Sequence, residues 1–112
     1  MSTRSFIGIQ NENNTIDGIY CHFDGYPAGV GRVLKESYTD ACAVRELIAH
    51  GDISECLAPD EMTNETYYDF NAGKPSNFFS LQNFQNTAIK CGAEWAYVFS
   101  GGQWKTYQLE MR

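Results

Sequence analysis

The chain lacks a long hydrophobic run and a signal-peptide pattern. No apolar segment approaches the roughly 20 residues that span a bilayer, and the opening stretch MSTRSFIGIQ has no apolar core of secretory-signal length. We therefore expect a cytoplasmic protein that makes no membrane contact.

Cysteine is present, but not at the spacing of a metal site. The four cysteines at positions 21, 42, 56 and 91 form no CxxC pair, so neither a structural zinc site nor another cofactor is expected. In a cytoplasmic protein the thiols stay reduced. Cys42 and Cys91 fall on apolar positions of helical patterns, which predicts that both are small core residues.

Basic residues are scarce and scattered. Eight Lys and Arg residues stand against fourteen Asp and Glu residues, which gives a net charge of −6. Binding to a nucleic-acid backbone needs clustered cations, so direct nucleic-acid binding is not expected. The acidity is compatible with solubility alone and with docking onto a basic partner.

What the chain does have is enough apolar surface for one core. Hydrophobic residues make up 43% of its 112 positions and aromatic residues 14%. A length of this order suits one domain that folds alone. We therefore expect a single domain over residues 1–112.

Two hairpins are indicated, one near each end of the chain. Alternating apolar residues over residues 4–10 and 15–23, joined by an Asn-rich loop, predict the first. In its second strand Tyr20 and His22 share one face, and Ile19, Cys21 and Phe23 form the core face. The second hairpin has the sequence EWAYVFSGGQWKTYQLE, in which Gly-Gly supplies a turn that tolerates positive φ.

Three short helices are predicted between the hairpins. The first starts near Ala28, the second is capped by Thr39 and stops at Gly51, and the third is capped by Ser80 and stops at Gly92. Residues 52–79 are irregular, with one short strand near ETYYDF. The fold class predicted is α+β, an antiparallel sheet built from the two hairpins with about three short helices packed on it.

The block YCHFDGYPAGVGR concentrates chemistry-bearing residues between the first hairpin and the first helix. His22 with Asp24 suits general-base chemistry. Gly29 and Gly31 before a helix, with Arg32, suit an anion. Both readings compete with a purely structural strand-to-helix corner. The candidate ligand-binding residues are Tyr20, His22, Asp24, Tyr26, Gly29, Gly31 and Arg32.

The chain resembles a family of small uncharacterised proteins of bacteriophages, prophages and related mobile elements. It shares with them an N-terminal STRS stretch, the block YCHFDGYPAGVG, the segment LIAHGD and, more loosely, the terminal hairpin. The resemblance covers most of the first 55 residues, and residues 57–79 depart from it. It implies a context rather than a reaction. Small phage proteins commonly bind a host component, and some blunt host defence by masking a nuclease or sequestering a nucleotide signal.

Three hypotheses follow. The first is a non-catalytic accessory protein that modulates or inhibits a host protein, such as a defence complex, in the host cytoplasm. The second is a binder of a small anionic ligand, such as a nucleotide, at the strand-to-helix corner. The third is a small hydrolase using His22 and Asp24, for which the sequence offers no nucleophile, so no catalytic residue is assigned. A homo-oligomer is compatible with all three.

Overall fold

The computed structural model describes residues 3–62, 67–72 and 75–109. Seven strands lie in these ranges, and they form one sheet. The strands are β1 (Ser5–Gln10), β2 (Ile16–Cys21), β3 (Gly51–Ile53), β4 (Tyr67–Ala72), β5 (Ser76–Phe78), β6 (Trp95–Ser100) and β7 (Gln103–Gln108).

The sheet joins the two predicted hairpins side by side. The strand order is β4-β3-β2-β1-β6-β7. Strand β5 lies outside this order: it pairs with the first half of β2, along the same edge at whose far end β3 pairs with Cys21. Hairpins β1–β2 and β6–β7 are antiparallel, but β1 and β6 pair in parallel with Ser5 opposite Trp95. The α+β class is therefore confirmed, and the parallel pairs β1–β6 and β2–β3 make the sheet mixed.

Three helices cover the sheet, as predicted. They are α1 (Arg32–Ser37), α2 (Ala41–Ala49) and α3 (Leu81–Lys90), and a wide π-helical turn, Pro27–Gly31, leads into α1. Ser80 caps α3 by accepting a hydrogen bond from the Asn83 amide. The cap of α2 is Asp40, whose carboxylate accepts from the Ala43 amide, and not Thr39 as predicted. Asp40 stands one residue nearer the first turn, where its oxygen reaches that amide.

The two faces of the sheet carry separate cores. On one face α1 and α2 pack over Ile7, Ile19, Cys21 and the alternate residues of β6, Tyr97 among them. On the other face α3 packs over Phe6, Ile16, Ala96 and Val98. The alternation predicted for β2 and β6 is confirmed, except that Phe23 lies beyond the end of β2 and is exposed.

Glycines allow α3 to lie close to the sheet. A Cβ on Gly18 would stand 2.6 Å from the Phe84 ring, and one on Gly8 would stand 2.7 Å from Ile16 and 3.0 Å from the same ring. Phe84 is fully buried. The missing side chains on β1 and β2 therefore seat the Phe84 ring directly on the sheet.

The prediction that Cys42 and Cys91 are core residues is wrong, because both are exposed. Each lies on a helix flank or end, just outside the stripe that faces the sheet. The predicted strand near ETYYDF corresponds to β4, and Glu65 and Thr66 lie outside the described residues. Among the helices described, none is long and apolar enough to cross a membrane.

Candidate functional site

The seven residues predicted to bind a ligand do not converge on one site. Tyr20 and His22 lie on the α3 face of the sheet, as their alternation predicts, and they line a pocket there. Asp24, Tyr26, Gly29 and Arg32 line a separate groove beside α1. The sharp turn after β2 carries the chain from one face to the other and divides the block.

The larger of these two cavities is the α3-face pocket, a concave space of about 560 Å³. Its floor is the start of β1 and the end of β2, and its sides come from β3, β5 and the last turn of α3. It is lined chiefly by Arg4, Phe6, Gly18, Tyr20, His22, Asp52, Ser76, Phe78, Thr87 and Cys91. Ligand pockets in proteins are commonly concave, of this volume, and mostly apolar with a few polar groups.

Aromatic rings form the wall of the α3-face pocket. The Phe6 ring lies at the centre of this wall. Its centroid is 6.0 Å from the Tyr20 ring centroid and 6.2 Å from that of Phe78, and the ring also packs against Phe84. The Phe6–Tyr20 and Phe6–Phe84 pairs are edge-on, an arrangement that aromatic pairs favour. Rings held in this way offer a rigid apolar surface to a flat ligand.

The end of β2 places a hydrogen-bonding pair at the rim, and β3 adds a carboxylate beside it. The Tyr20 hydroxyl and His22 Nδ1 lie 2.7 Å apart, because residues two apart on a strand share a face. In the imidazole tautomer protonated at Nε2, the tyrosine donates to Nδ1. On the neighbouring strand, the Asp52 carboxylate accepts from the Tyr20 backbone amide at 3.0 Å. These contacts fix the orientation of three polar side chains around the aromatic wall.

Arg4 brings the positive charge to this pocket. Its guanidinium packs over Gly92 at the end of α3, where a Cβ would stand 2.9 Å from one guanidinium nitrogen. Within the described ranges no carboxylate forms an ion pair with Arg4. The β1–β2 register places Arg4 on one side of β2, and Asp52 lies on the other. Arg4 and Asp52 therefore enter the pocket from opposite sides of β2, and both line it.

The smaller cavity is the corner groove, lined by Phe23, Asp24, Tyr26, Gly29, Arg32 and Glu55 with neighbouring apolar residues, and its volume is about 290 Å³. It follows the strand-to-helix corner on the α1 side of the sheet. Phe23 and Tyr26 are each 42% exposed. The groove therefore presents rings to solvent, whereas the α3-face pocket holds its rings inside.

The glycines of the corner serve its own structure. A Cβ on Gly29 would stand 2.3 Å from the Asp24 carbonyl oxygen, and one on Gly31 would stand 3.1 Å from the Tyr97 ring. The Gly29 and Gly31 amides donate to the Tyr26 carbonyl, and the Val30 amide donates to that of Asp24. These amides form hydrogen bonds inside the turn, so they are not available to an anion as the predicted site at Gly29, Gly31 and Arg32 requires.

Arg32 is likewise occupied locally. Its guanidinium forms an exposed ion pair with Glu36 at 3.2 Å and also donates to the Ala28 carbonyl. His22 lies on the other face of the sheet. The corner therefore does not combine His22 and Arg32 around one ligand, and His22 and Asp24 line different cavities rather than forming a hydrolytic pair.

The four thiols fall into two classes. Cys21 and Cys56 are buried, and burial raises the pKa of Cys21 to about 12 and that of Cys56 further still. A nucleophilic cysteine needs a lowered pKa, so neither buried thiol is suited to catalysis. Cys91 lines the α3-face pocket, and Cys42 lies exposed on α2 outside every cavity described above.

Among the described residues, no three His, Cys, Asp or Glu side chains are placed to hold a metal ion.

Sequence reasoning missed most of the pocket. A signal for Arg4 and Phe6 was present, since alternation puts both on one face of β1 and the hairpin register pairs Phe6 with Tyr20. Asp52, Ser76 and Phe78 come from strands of three residues, too short to show a period. Their place on β2 depends on tertiary pairing, which the sequence does not display.

The comparisons with known proteins return no relative. The chain matches no protein-family model, no curated protein and no solved structure.

Proposed function

We propose that this chain is a non-catalytic binding protein that holds a small planar, anionic ligand in the α3-face pocket. The observation that carries the proposal is Arg4, a cation with no ion pair in the described structure, at the mouth of an aromatic-walled cavity. Aromatic side chains bind flat rings by stacking, and arginine adds a forked donor for a phosphate or carboxylate.

The charges across the pocket define the ligand further. An anionic group is favoured at Arg4 and disfavoured at Asp52, whose carboxylate instead accepts N–H donors. The ligand class that suits both ends is a ring bearing amino or imino donors, joined to an anionic group on the far side. A nucleotide has this construction, since its base carries the donors and its phosphate the charge.

The resemblance to phage and prophage proteins supplies a biological setting for this proposal. In that setting the protein acts in the host cytoplasm and modulates a host factor by withdrawing a small ligand from it. The withdrawal of a defence signal is one such outcome, and this outcome rests on the resemblance alone. The chemistry rests on the pocket.

The direct test uses adenosine 5′-monophosphate (AMP) as the probe in isothermal titration calorimetry. AMP is expected to bind, whereas adenosine, which lacks the phosphate, and ribose 5-phosphate, which lacks the base, bind at least tenfold more weakly. Arg4→Ala is expected to weaken AMP at least tenfold, because a charge-assisted hydrogen bond contributes about 1.5 to 3 kcal/mol. Arg32→Ala is the matched control and leaves AMP binding unchanged, since Arg32 lies in the other cavity.

The cysteines provide an independent readout of where the probe sits. Saturating AMP is expected to slow alkylation of Cys91, which lines the pocket, and to leave alkylation of Cys42 unchanged. Native mass spectrometry of freshly purified protein adds the mass of any ligand carried from the cell. The proposal is wrong if AMP fails to bind, or if Arg32→Ala weakens it as much as Arg4→Ala.

A further inference from the structure

We infer that the corner groove is a second binding surface, which docks a protein segment carrying an arginine between apolar residues. It lies on the α1 side of the sheet and adjoins the α3-face pocket where the His22 and Phe23 rings pack edge-on at 4.6 Å. The inference uses no contact with the ligand proposed for that pocket. Two features support it: a rigid pair of exposed rings, and an unbalanced negative charge beside them.

The rings are exposed on a backbone that cannot easily yield. Phe23 and Tyr26 are each 42% exposed, yet the backbone of the turn that carries them is held by hydrogen bonds to several other segments. The Gly25 amide donates to the Thr3 carbonyl, and the Gly25 carbonyl accepts from the buried Tyr97 hydroxyl at 2.6 Å. The Phe23 amide donates to the Ser54 carbonyl. Rigid aromatic side chains of this kind lose little entropy when they bind, which is why they are enriched at interfaces.

Asp24 lies between the two rings in a restricted conformation. Its φ of 58° is in the left-handed region that disfavours most side chains, and its carboxylate accepts a hydrogen bond from the Tyr26 hydroxyl at 3.3 Å. The bond holds the Tyr26 ring beside the carboxylate. A cation placed over this ring would therefore meet the ring face and the carboxylate together.

The charge balance of the groove favours a cationic partner. Asp24 and Glu55 form no ion pair with any cation in the described part of the chain. Among the described residues that line the groove, the one cation is Arg32, and it forms an ion pair with Glu36. Asp24, Glu55, Glu36 and Arg32 together therefore carry a net charge of −2. The whole chain carries −6. An arginine satisfies both requirements of the site, because its planar guanidinium stacks on aromatic faces and pairs with carboxylates in a forked geometry.

The test uses a capped peptide, acetyl-Gly-Leu-Arg-Leu-Gly-amide, titrated into the ¹⁵N-labelled protein at low salt and followed by two-dimensional NMR. Saturable shifts are expected at the backbone amides of residues 23–26, 28–32 and 55–57. The same peptide with citrulline in place of arginine, which is neutral and of equal shape, is expected to bind at least fivefold more weakly. Raising the salt to 0.5 M weakens the arginine peptide, because exposed charges are then screened.

Matched variants locate the binding to the rings. Phe23→Ala and Tyr26→Ala are each expected to weaken the arginine peptide about threefold to fivefold, as for one exposed cation–π contact. Phe79→Ala removes an equally large ring that is 80% exposed and lies in neither cavity, and it leaves the peptide affinity unchanged. The NMR spectra of the variants also report whether each remains folded.

Four outcomes overturn the inference. They are the absence of saturable shifts, equal affinity for the arginine and citrulline peptides, shifts centred outside the groove, and a loss in Phe79→Ala equal to that in Phe23→Ala. Shifts of the groove that depend on protein concentration without peptide would assign the surface to a second copy of this chain instead. None of these outcomes bears on AMP binding, so failure here and failure of the proposed function are separable.

Discussion

The two faces of the sheet are closed in different ways. One face is covered by α1, α2 and the corner that precedes them, and its side chains, Cys21 and Tyr97 among them, are buried. In the described part of the chain, α3 is the one helix that covers the other face, and the α3-face pocket lies beside the last turn of this helix. The comparison shows that a cavity with aromatic walls arises where a sheet of apolar strands has one covering helix fewer.

The largest expected loss of stability comes from a substitution on the face that α3 covers. Phe84→Ala removes the fully buried ring that joins α3 to Gly8 and Gly18. We expect it to lower the free energy of unfolding by about 3 to 5 kcal/mol, measured by urea denaturation. Phe79→Ala, on an exposed ring, is expected to change it by less than about 0.5 kcal/mol. A loss below about 1 kcal/mol for Phe84→Ala would mean that this ring does not hold α3 in place.

An intermediate effect is expected on the two-helix face, and it depends on pH. The folded pKa of Cys21, about 12, lies above the ordinary thiol value of 9.0 because of burial. Below pH 9 the thiol is protonated in both the folded and unfolded states, and its contribution to stability is constant. Between pH 9 and 12 the unfolded thiol ionises while the folded one does not, so the unfolded state is favoured.

Cys21→Ala therefore flattens the pH dependence of unfolding. We expect the wild type to lose about 2 to 3 kcal/mol through this one group between pH 9 and pH 11, and the variant to lose that much less. Urea denaturation under reducing conditions at several pH values measures the slope. Cys42→Ala, on an exposed thiol, is the control and keeps the wild-type slope. Equal slopes in Cys21→Ala and wild type would contradict the effect of burial.

The smallest expected effect concerns the edge of the corner groove. The Arg32 and Glu36 side chains are 62% and 61% exposed, and surface ion pairs of this kind contribute little, since water and salt screen them. Arg32→Ala is expected to change the free energy of unfolding by less than about 0.5 kcal/mol. A larger loss in urea denaturation would show that Arg32 supports the turn at Ala28, with which it also forms a hydrogen bond.

Local patterns predicted the elements of this fold better than their assembly. The cap at Ser80 and the positive-φ stops at Gly51 and Gly92 act within a few residues, and each was predictable. The parallel pairing of β1 with β6 has no local signal. The prediction that Cys42 and Cys91 are core residues is wrong because the apolar stripe inferred from helical spacing is wider than the helix face that contacts the sheet.

The candidate site was divided by the geometry that makes strands predictable. Alternation correctly placed Tyr20 and His22 together, away from Ile19 and Cys21. The prediction also includes the site residues from Asp24 to Arg32, because they follow closely in sequence. The chain reverses at Asp24, where φ is positive, and reaches the other face of the sheet within a few residues. The residue types of this block do not predict that change of face.

The parallel pair at the centre of the sheet also has a consequence for the order of folding. Ser5 finds its partner only at Trp95, so β1 is bonded on one edge alone until the second hairpin docks. Pairings between such distant segments slow folding, because the loop between them must close first. The floor of the α3-face pocket includes β1. Ligand capture is therefore expected to be a late event, available only after the two hairpins have joined.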